Sequence, residues 1–363
     1  MKPSRNKRVL LGLSGGVDSA LAATILQKQG YEIISVFMKC FSDTKTKLTN
    51  TCNWREELQS ARKIAAKLSL KLITLDLEKQ YLKDVIEPMF NSYKKNLTPN
   101  PDIACNTIIK FPWLIKEAKK HNCDFIATGH YARTKSTPEG YELLAGKDKN
   151  KDQSYFLYEL DQKTLAKTLL PIGNLTKSEV RKKANSLGLH NHNKPSTKGI
   201  CFIGNIDFQD FIKKKIKPAP GKIKDLNNNI IGTHPGIQYF TIGQRLGSRL
   251  GMTLNKSLTK DSENKLFVGK KIAKSGTIIA VPNSHELLKT KKIKIINFHL
   301  INPHEKLPKS GIKARIRHLG TLYPGKLKDK TFIADKPIPQ VAQGQHIVLY
   351  NKSKVLGGGE IRL

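Results

Sequence analysis

Leu13-Ser14-Gly15-Gly16-Val17-Asp18-Ser19 joins two segments of opposite character. Before it, Arg8-Val9-Leu10-Leu11-Gly12 has the length and apolar character of a buried strand; after it, Ala20 to Gly30 is an Ala/Leu-rich helix closed by glycine. Gly15 and Gly16 permit positive φ and let backbone N–H groups approach an anion. A helix starting near Asp18 adds further free N–H groups and the positive end of its dipole. The segment therefore reads as a phosphate-binding loop between a strand and a helix. No lysine follows the glycines, whereas loops that grip β- and γ-phosphates carry one there, so the pattern points away from γ-phosphoryl transfer.

Outward from this loop, apolar strands alternate with amphipathic helices up to about Leu170. The strands are Ile33–Met38, Lys71–Leu75 and Phe125–Thr128; the helices are Glu56–Leu68, Asp84–Tyr93 and Thr107–Lys120. This alternation predicts an α/β fold with a Rossmann-like parallel sheet, in which ligands sit beyond the carboxyl ends of the strands. The glycine loop, Met38 and Gly129-His130 converge there. A short basic helix follows at Phe208–Lys215, and Pro218-Ala219-Pro220-Gly221 marks a break. The last third carries short strands at 276–281, 293–296, 312–317, 345–350 and 354–359, which suggests a small β-barrel.

The chain of 363 residues exceeds a single typical core. Its 64 Lys and Arg against 29 Asp and Glu leave a net charge of +35, a broad positive surface suited to a polyanion, with nucleic acid the leading partner. The apolar run after Lys7-Arg8 is too short for a secretory signal, and no stretch spans a bilayer. The five cysteines, Cys40, Cys52, Cys105, Cys123 and Cys201, are scattered and contain no Cys-x-x-Cys pair. This argues against a disulfide framework or a metal site and fits a cytoplasmic protein. Cys40, Cys52 and Cys123 read as packing residues.

Two cysteines stand apart. Thr98-Pro99-Asn100-Pro101-Asp102 forces an extended approach to a helix, which places Cys105 at or near its N-terminus, where the dipole favours thiolate; Asp102 could move protons but opposes that thiolate. A buried structural cysteine is the alternative. Cys201 lies in a short apolar segment between Gly199 and Gly204, and alone it reads as core.

Ser14 to Ser19 resembles the PP-loop of ATP pyrophosphatases, enzymes that adenylate a carbonyl oxygen and release pyrophosphate. Further segments resemble one family within that group, the bacterial tRNA-specific 2-thiouridylases, along essentially the whole chain. They are Asn100-Pro101-Asp102 with Cys105, Ile109-Lys110-Phe111, Ala127-Thr128-Gly129-His130-Tyr131, Lys151-Asp152-Gln153-Ser154-Tyr155-Phe156-Leu157, Gly199-Ile200-Cys201-Phe202-Ile203-Gly204, Thr241-Ile242-Gly243-Gln244-Arg245 and Leu356-Gly357-Gly358-Gly359. Leu246-Gly247-Ser248-Arg249 stands where the family has Lys-Gly-Leu-Gly, and Arg317-His318 where it has Arg-Tyr.

The resemblance implies a transferase that uses ATP to thiolate the wobble uridine, position 34 of tRNA, forming 2-thiouridine. ATP would be bound by Gly12, Leu13, Ser14, Gly15, Gly16, Val17, Asp18, Ser19, Met38 and Gly129, with Mg²⁺ near Asp18 and no dedicated metal ligands. Cys201 would carry a persulfide supplied by a sulfur-relay protein or a cysteine desulfurase, and Asp102 would assist; Cys105 would be the nucleophile that attacks this persulfide and releases hydrosulfide, or would resolve it after direct attack by its terminal sulfur. Asn100, Pro101 and Asp102 would contact the target base in the anticodon stem-loop, and His130, Lys151, Asp152, Gln153, Arg317, His318 and Gln345 other parts of the tRNA. Three units are expected in a monomer: a catalytic domain over 1–205, a small central domain over 206–273 and a tRNA-binding barrel over 274–363. Two other classes share parts of the pattern. One is an amide-forming PP-loop enzyme of the NAD or GMP synthetase kind, which needs ammonia and no thiol pair; the other is a catalytically silent tRNA-binding protein.

Overall fold

The computed structural model describes residues 7–42, 53–195, 199, 201–203, 208–213, 215–247, 251–255 and 265–363. Cys52, Ile200, Gly204 and Ser248-Arg249 lie outside the described residues.

The amino-terminal part contains β1 (Arg8–Gly12), β2 (Glu32–Lys39), β3 (Lys71–Asp76), β4 (Phe125–Ala127), a hairpin of β5 (Ala132–Thr137) and β6 (Gly140–Ala145), and β7 (Thr168–Leu169). The sheet order is β3-β2-β1-β4-β7, with every neighbouring pair parallel. Helices cover both faces, so β1 is an uninterrupted apolar run in which Val9, Leu10 and Leu11 have no exposed surface. The chain moves from β1 outward to β2 and β3, then returns to β4 on the other side of β1. That reversal opens a crevice beyond the carboxyl ends of β1 and β4, as the α/β alternation predicts.

Helix α1 (Val17–Lys28) lies close to the sheet because Ala20, Ala22 and Ala23 present almost no side chain and are fully buried. It ends at Gly30, whose φ of +85° is in the left-handed region. The helix bearing Cys105 differs from expectation. It begins at Pro101, not Thr107, and runs to Lys120 as an α-turn, a π-helical stretch over Cys105–Lys110 and a second α-helix over Phe111–Lys120. Proline has the φ of a first helical residue, and only the residue before it is held extended, which here is Asn100 at φ −119°, ψ 90°.

The central sheet comprises β8 (Gly221–Lys224), β9 (Ile230–His234), β10 (Thr253–Leu254), β11 (Leu266–Ile272) and β12 (Thr277–Pro282) in the order β10-β9-β8-β12-β11. β11 and β12 are one antiparallel hairpin. The expected break between residues 273 and 274 falls inside its turn, and we place the boundary after Pro282.

The carboxyl-terminal strands are β13 (Lys289–Leu300), β14 (Ile312–Arg315), β15 (Tyr323–Lys328), β16 (Thr331–Pro339), β17 (His346–Asn351) and β18 (Lys354–Arg362). They form an antiparallel sheet in the order β13-β16-β15-β14-β17-β18, closed into a barrel by pairing of β13 with β18. Ile293, Ile295, Phe332, Ile347, Leu349 and Ile361 fill its interior. β15 and β16 are absent from the sequence expectation, because β15 alternates half-buried with exposed positions and has no apolar stripe to detect. β6 pairs with β18, so a hairpin from the amino-terminal half is attached to the barrel.

This junction has a polar core. Asp152 is 2% exposed; one carboxylate oxygen accepts from the N–H groups of Gly146 and Ser154, both at 3.0 Å, and the other pairs with Arg315 at 2.8 Å. Removing one partner of a buried ion pair leaves an uncompensated charge, so Arg315→Met is expected to lower stability by about 3–5 kcal/mol. The urea midpoint of the purified chain measures it, and an unshifted midpoint would contradict this role. Among the described residues no helix is long and apolar enough to cross a membrane.

Candidate active site

A cleft of about 640 Å³ opens at the reversal point of the parallel sheet. The glycine loop, Met38 and Gly129 line one end; Asp102, Asn106, Lys110, His130 and Cys201 line the other.

The loop uses the N–H groups of Ser14 and Gly16 within its own turn and leaves the start of α1 uncapped. Ser19 Oγ accepts from Ser14 N at 3.2 Å and donates to Gly16 O at 3.1 Å, so the turn is braced from within. Gly16 caps α1 without a side chain, which leaves the first-turn N–H groups available to an anion. Gly15 has φ +76°, and a Cβ there would lie 2.4 Å from Glu57 O. Gly129, at the end of β4, presses on the same turn: its Cβ would stand 2.7 Å from Ser19 N and 2.8 Å from Asp18 C.

Asp18 faces this end of the cleft and accepts from Tyr131 Oη at 2.7 Å and from Lys177 Nζ at 2.7 Å. The neighbouring carboxylate and burial push the Tyr131 phenol well up, so it stays a donor. Lys177 opens the helix Lys177–Ser186, whose start is fixed by a reciprocal cap between Thr176 and Glu179. A lysine thus reaches the glycine-loop end of the cleft from 159 residues beyond Asp18. Its only local signal is Thr176-Lys177-Ser178-Glu179, a capping-box pattern that says nothing about phosphate.

At the other end, two segments clamp the backbone of Cys201. Asp102 Oδ1 accepts from Cys201 N at 2.8 Å, and Tyr81 Oη donates to Cys201 O at 2.6 Å. Phe202 is held at φ +64° beside it, with its ring 5.6 Å from Lys110 Nζ. Cys105 is completely buried and lies close enough to Cys201 that each thiol shifts the other's titration. The expectation of a Cys105 thiolate at a helix N-terminus is corrected here. Cys105 sits one turn inside the helix, and burial together with the adjacent Cys201 sulfur pushes its thiol well above the ordinary value. The neighbouring Cys105 thiol, helped by the Lys110 charge, lowers the Cys201 thiol against the opposing effect of burial. Of the two sulfurs, Cys201 is therefore the one whose charged form the site favours. Burial raises the Asp102 carboxyl, which suits a group that exchanges a proton. Cys40 is buried with its thiol pushed up by desolvation, and Cys123 is half-buried outside the cleft, as packing residues are.

Six of the remaining candidates border two cavities, and Asn100, Pro101 and Asp152 line neither. Lys151, Gln153, His130 and His318 line the main cleft. His130 is 8% exposed, stacks on Phe111 and is kept neutral by burial; His318 stacks on Phe156 with ring centroids 4.2 Å apart, and burial pulls its pKa down to about 4. Arg317 and Gln345 line a second cavity of about 320 Å³, together with Thr98, Thr241 and Gln244. Gln345 Nε2 donates to the carbonyls of Thr98 at 3.1 Å and Pro99 at 3.2 Å, which ties the Asn100-Pro101 segment to the barrel. Asp152 faces neither opening; its carboxylate belongs to the interdomain ion pair described above. Lys110 and Lys177 are the cleft residues to which sequence reasoning assigned no role.

Three family models match in succession: tRNA methyl transferase HUP domain over residues 7–205, tRNA methyl transferase PRC-barrel domain over 209–282 and aminomethyltransferase beta-barrel domain over 290–361. The tRNA-specific 2-thiouridylase of Malacoplasma penetrans is 39% identical over 98% of both chains. That of Karelsulcia muelleri is 37% identical over 98% of this chain and 99% of its own length. Among solved structures, a U34-tRNA thiolase from Methanococcus maripaludis aligns over 58% of this chain and 65% of its own, with 18% identity and a TM-score of 0.37. With relatives at this identity over nearly their full length, and family models from residue 7 to residue 361, the chain belongs to the tRNA-specific 2-thiouridylase family.

Proposed function

We propose that the chain converts the wobble uridine of tRNA to 2-thiouridine, activating the C2 oxygen with ATP and delivering sulfur from Cys201. The observation that carries this reading is one cleft with an anion-binding loop at one end and Cys201 at the other, with the buried Cys105 thiol next to it. Gly12 to Ser19, Met38 and Gly129 hold ATP, with the phosphates at the free N–H groups where α1 starts. Lys177 is placed to neutralise charge on the departing pyrophosphate. Asp18 would hold Mg²⁺ jointly with phosphate oxygens, screening their charge.

The base enters past Asn100, Pro101 and Asp102, drawn from a loop whose unpaired bases can be splayed out. Its C2 oxygen attacks the α-phosphorus and pyrophosphate leaves, so a poor leaving group becomes AMP. Cys201, loaded by a persulfide donor, supplies sulfur to C2. AMP departs, and Cys105 closes a disulfide with Cys201 as the sulfur is released. A thiol reductant then restores the pair. His130, Lys151, Gln153, Arg317, His318 and Gln345 border the two cavities and would guide the anticodon loop, while the +35 net charge supplies phosphate attraction.

The direct test incubates the purified chain with unmodified tRNA, ATP and a persulfide donor and digests the tRNA for nucleoside mass spectrometry. 2-Thiouridine should form only when ATP is present. Thiolation at a different base atom, or none, would overturn the assignment.

A further inference from the structure

The ammonium of Lys110 is held on three sides. Nζ lies 2.9 Å from Asn106 Oδ1, 3.4 Å from His130 Nε2 and 3.6 Å from Cys201 Sγ. An ammonium has three N–H donors and no acceptor, so these three contacts exhaust it. Two of the acceptors are neutral. One is an amide oxygen. The other is an imidazole that burial, and then Lys110 itself, keeps unprotonated, with Nδ1 2.7 Å from Thr128 Oγ1 and the ring stacked on Phe111. These partners fix the position of Nζ without cancelling its charge, and its third N–H points at sulfur.

The backbone explains why Lys110 reaches this place. Cys105 and Lys110 are the first and last residues of the π-helical stretch, and its wider turn puts residues five apart on one face. The same helix therefore carries the neutral thiol and the cation, while Cys201 arrives from another segment to meet both.

We propose that Lys110 is the positioning residue that sets the order in which the two thiols act: it holds the first negative charge on Cys201, so Cys201 takes up sulfur while Cys105 remains protonated. This rests on the 2-thiouridylase reading for its chemistry. In loading, the Cys201 thiolate attacks the outer sulfur of the donor persulfide; the new S–S bond forms on Cys201, the donor's S–S bond breaks, and the donor leaves as thiolate. The persulfide's proton passes to the departing donor thiolate, so the charge that remains sits one atom further out, on the terminal sulfur. When Cys105 attacks Cys201 Sγ, the Cys105–Cys201 bond forms, the bond to the terminal sulfur breaks, and the Cys105 proton leaves on hydrosulfide.

The other groups facing Cys201 agree with this order. Burial opposes the Lys110 charge, but Cys201, Cys105 and Asp102 outweigh it and raise the lysine, so the ammonium persists. Asp102 opposes the thiolate, but its oxygen is engaged by the Cys201 N–H. Cys40 and Tyr81 are both pushed up by burial and stay neutral.

The test needs no tRNA, ATP or sulfur donor, so its failure leaves the thiouridylase reading standing. The full chain is alkylated with iodoacetamide across a pH series, and labelling of the Cys201 peptide is followed by mass spectrometry. Thiolate is the reactive form, so the rate rises with pH to a plateau. The wild-type midpoint should fall below the ~8.5 of a free cysteine. In Lys110→Met the curve should move to higher pH by about one unit, making labelling near neutrality ~10-fold slower, and Lys110→Arg should move it back. A wild-type midpoint at or above the free value overturns the proposal even if the variants do not fold. So does a Lys110→Met chain with the wild-type midpoint, or a Lys110→Arg chain that matches Lys110→Met.

Discussion

Replacing either Cys105 or Cys201 with serine is expected to reduce 2-thiouridine formation by about 10³-fold or more while leaving ATP- and tRNA-dependent pyrophosphate release in place. The two ends of the cleft explain the split. In the proposed mechanism, activation of the C2 oxygen would use the glycine loop, Lys177 and Asp18, which lie at the other end of the cleft from Cys201. Serine keeps the side-chain shape but offers neither a persulfide nor a disulfide. The variants should then diverge in one respect. Cys201→Ser should acquire no sulfur from the donor at position 201, whereas Cys105→Ser should accumulate a one-sulfur mass gain on the Cys201 peptide, because the thiol that resolves it is gone. Cys105 is completely buried, and a hydroxyl placed there costs about 1–3 kcal/mol if it lacks a partner, so a melting curve separates lost chemistry from lost folding. Wild-type thiolation by a folded variant of either cysteine would dismiss the two-thiol mechanism; loss of pyrophosphate release in both would place the thiols in activation instead.

Gly129→Ala is expected to weaken the ATP-dependent step by about 10²-fold, the scale set by an ångström of misplacement at a reacting centre. The added Cβ would meet Ser19 N at 2.7 Å, Asp18 C at 2.8 Å and Asp18 O at 3.0 Å. All three are backbone atoms of the first turn of α1, so no side chain can swing aside. Relief requires moving either the end of β4 or the helix start, and the helix start carries both the open N–H groups and the Asp18 carboxylate paired with Lys177. The loss should therefore appear in ATP binding, measured by calorimetry, and in pyrophosphate release, with tRNA affinity nearly unchanged. Wild-type ATP affinity in Gly129→Ala would mean that the loop is not where the phosphates bind.

Much of this architecture is written in local pattern. The apolar runs Arg8–Gly12 and Glu32–Lys39 announce buried parallel strands because both faces of such strands are covered, and the glycine loop announces an anion site because backbone freedom and helix start are properties of adjacent residues. The barrel was legible only where a stripe survived: β17 has four consecutive buried residues, whereas β15 has none and β16 carries Pro337 and Pro339. The β5–β6 hairpin is invisible as a barrel element because its partner, β18, lies about two hundred residues away and pairs through backbone groups that every residue has.

For the site, local chemistry was enough to name the glycine loop, whereas Asp102, Cys105 and Cys201 were named through the motifs they share with a family, since each cysteine by itself reads as packing. Which cysteine bears the charge was not contained there. That depends on the nearness of residues 105 and 201, on an ammonium carried five residues along a π-helical turn and on the depth of burial, all of which are set across the fold. The same holds for Lys177, which meets Asp18 only because two helix starts converge on one cleft. Backbone conformation and intrinsic reactivity are local in the chain, whereas desolvation and Coulomb interaction fall off with distance in space, so the charge states of this cleft exist only once it is folded.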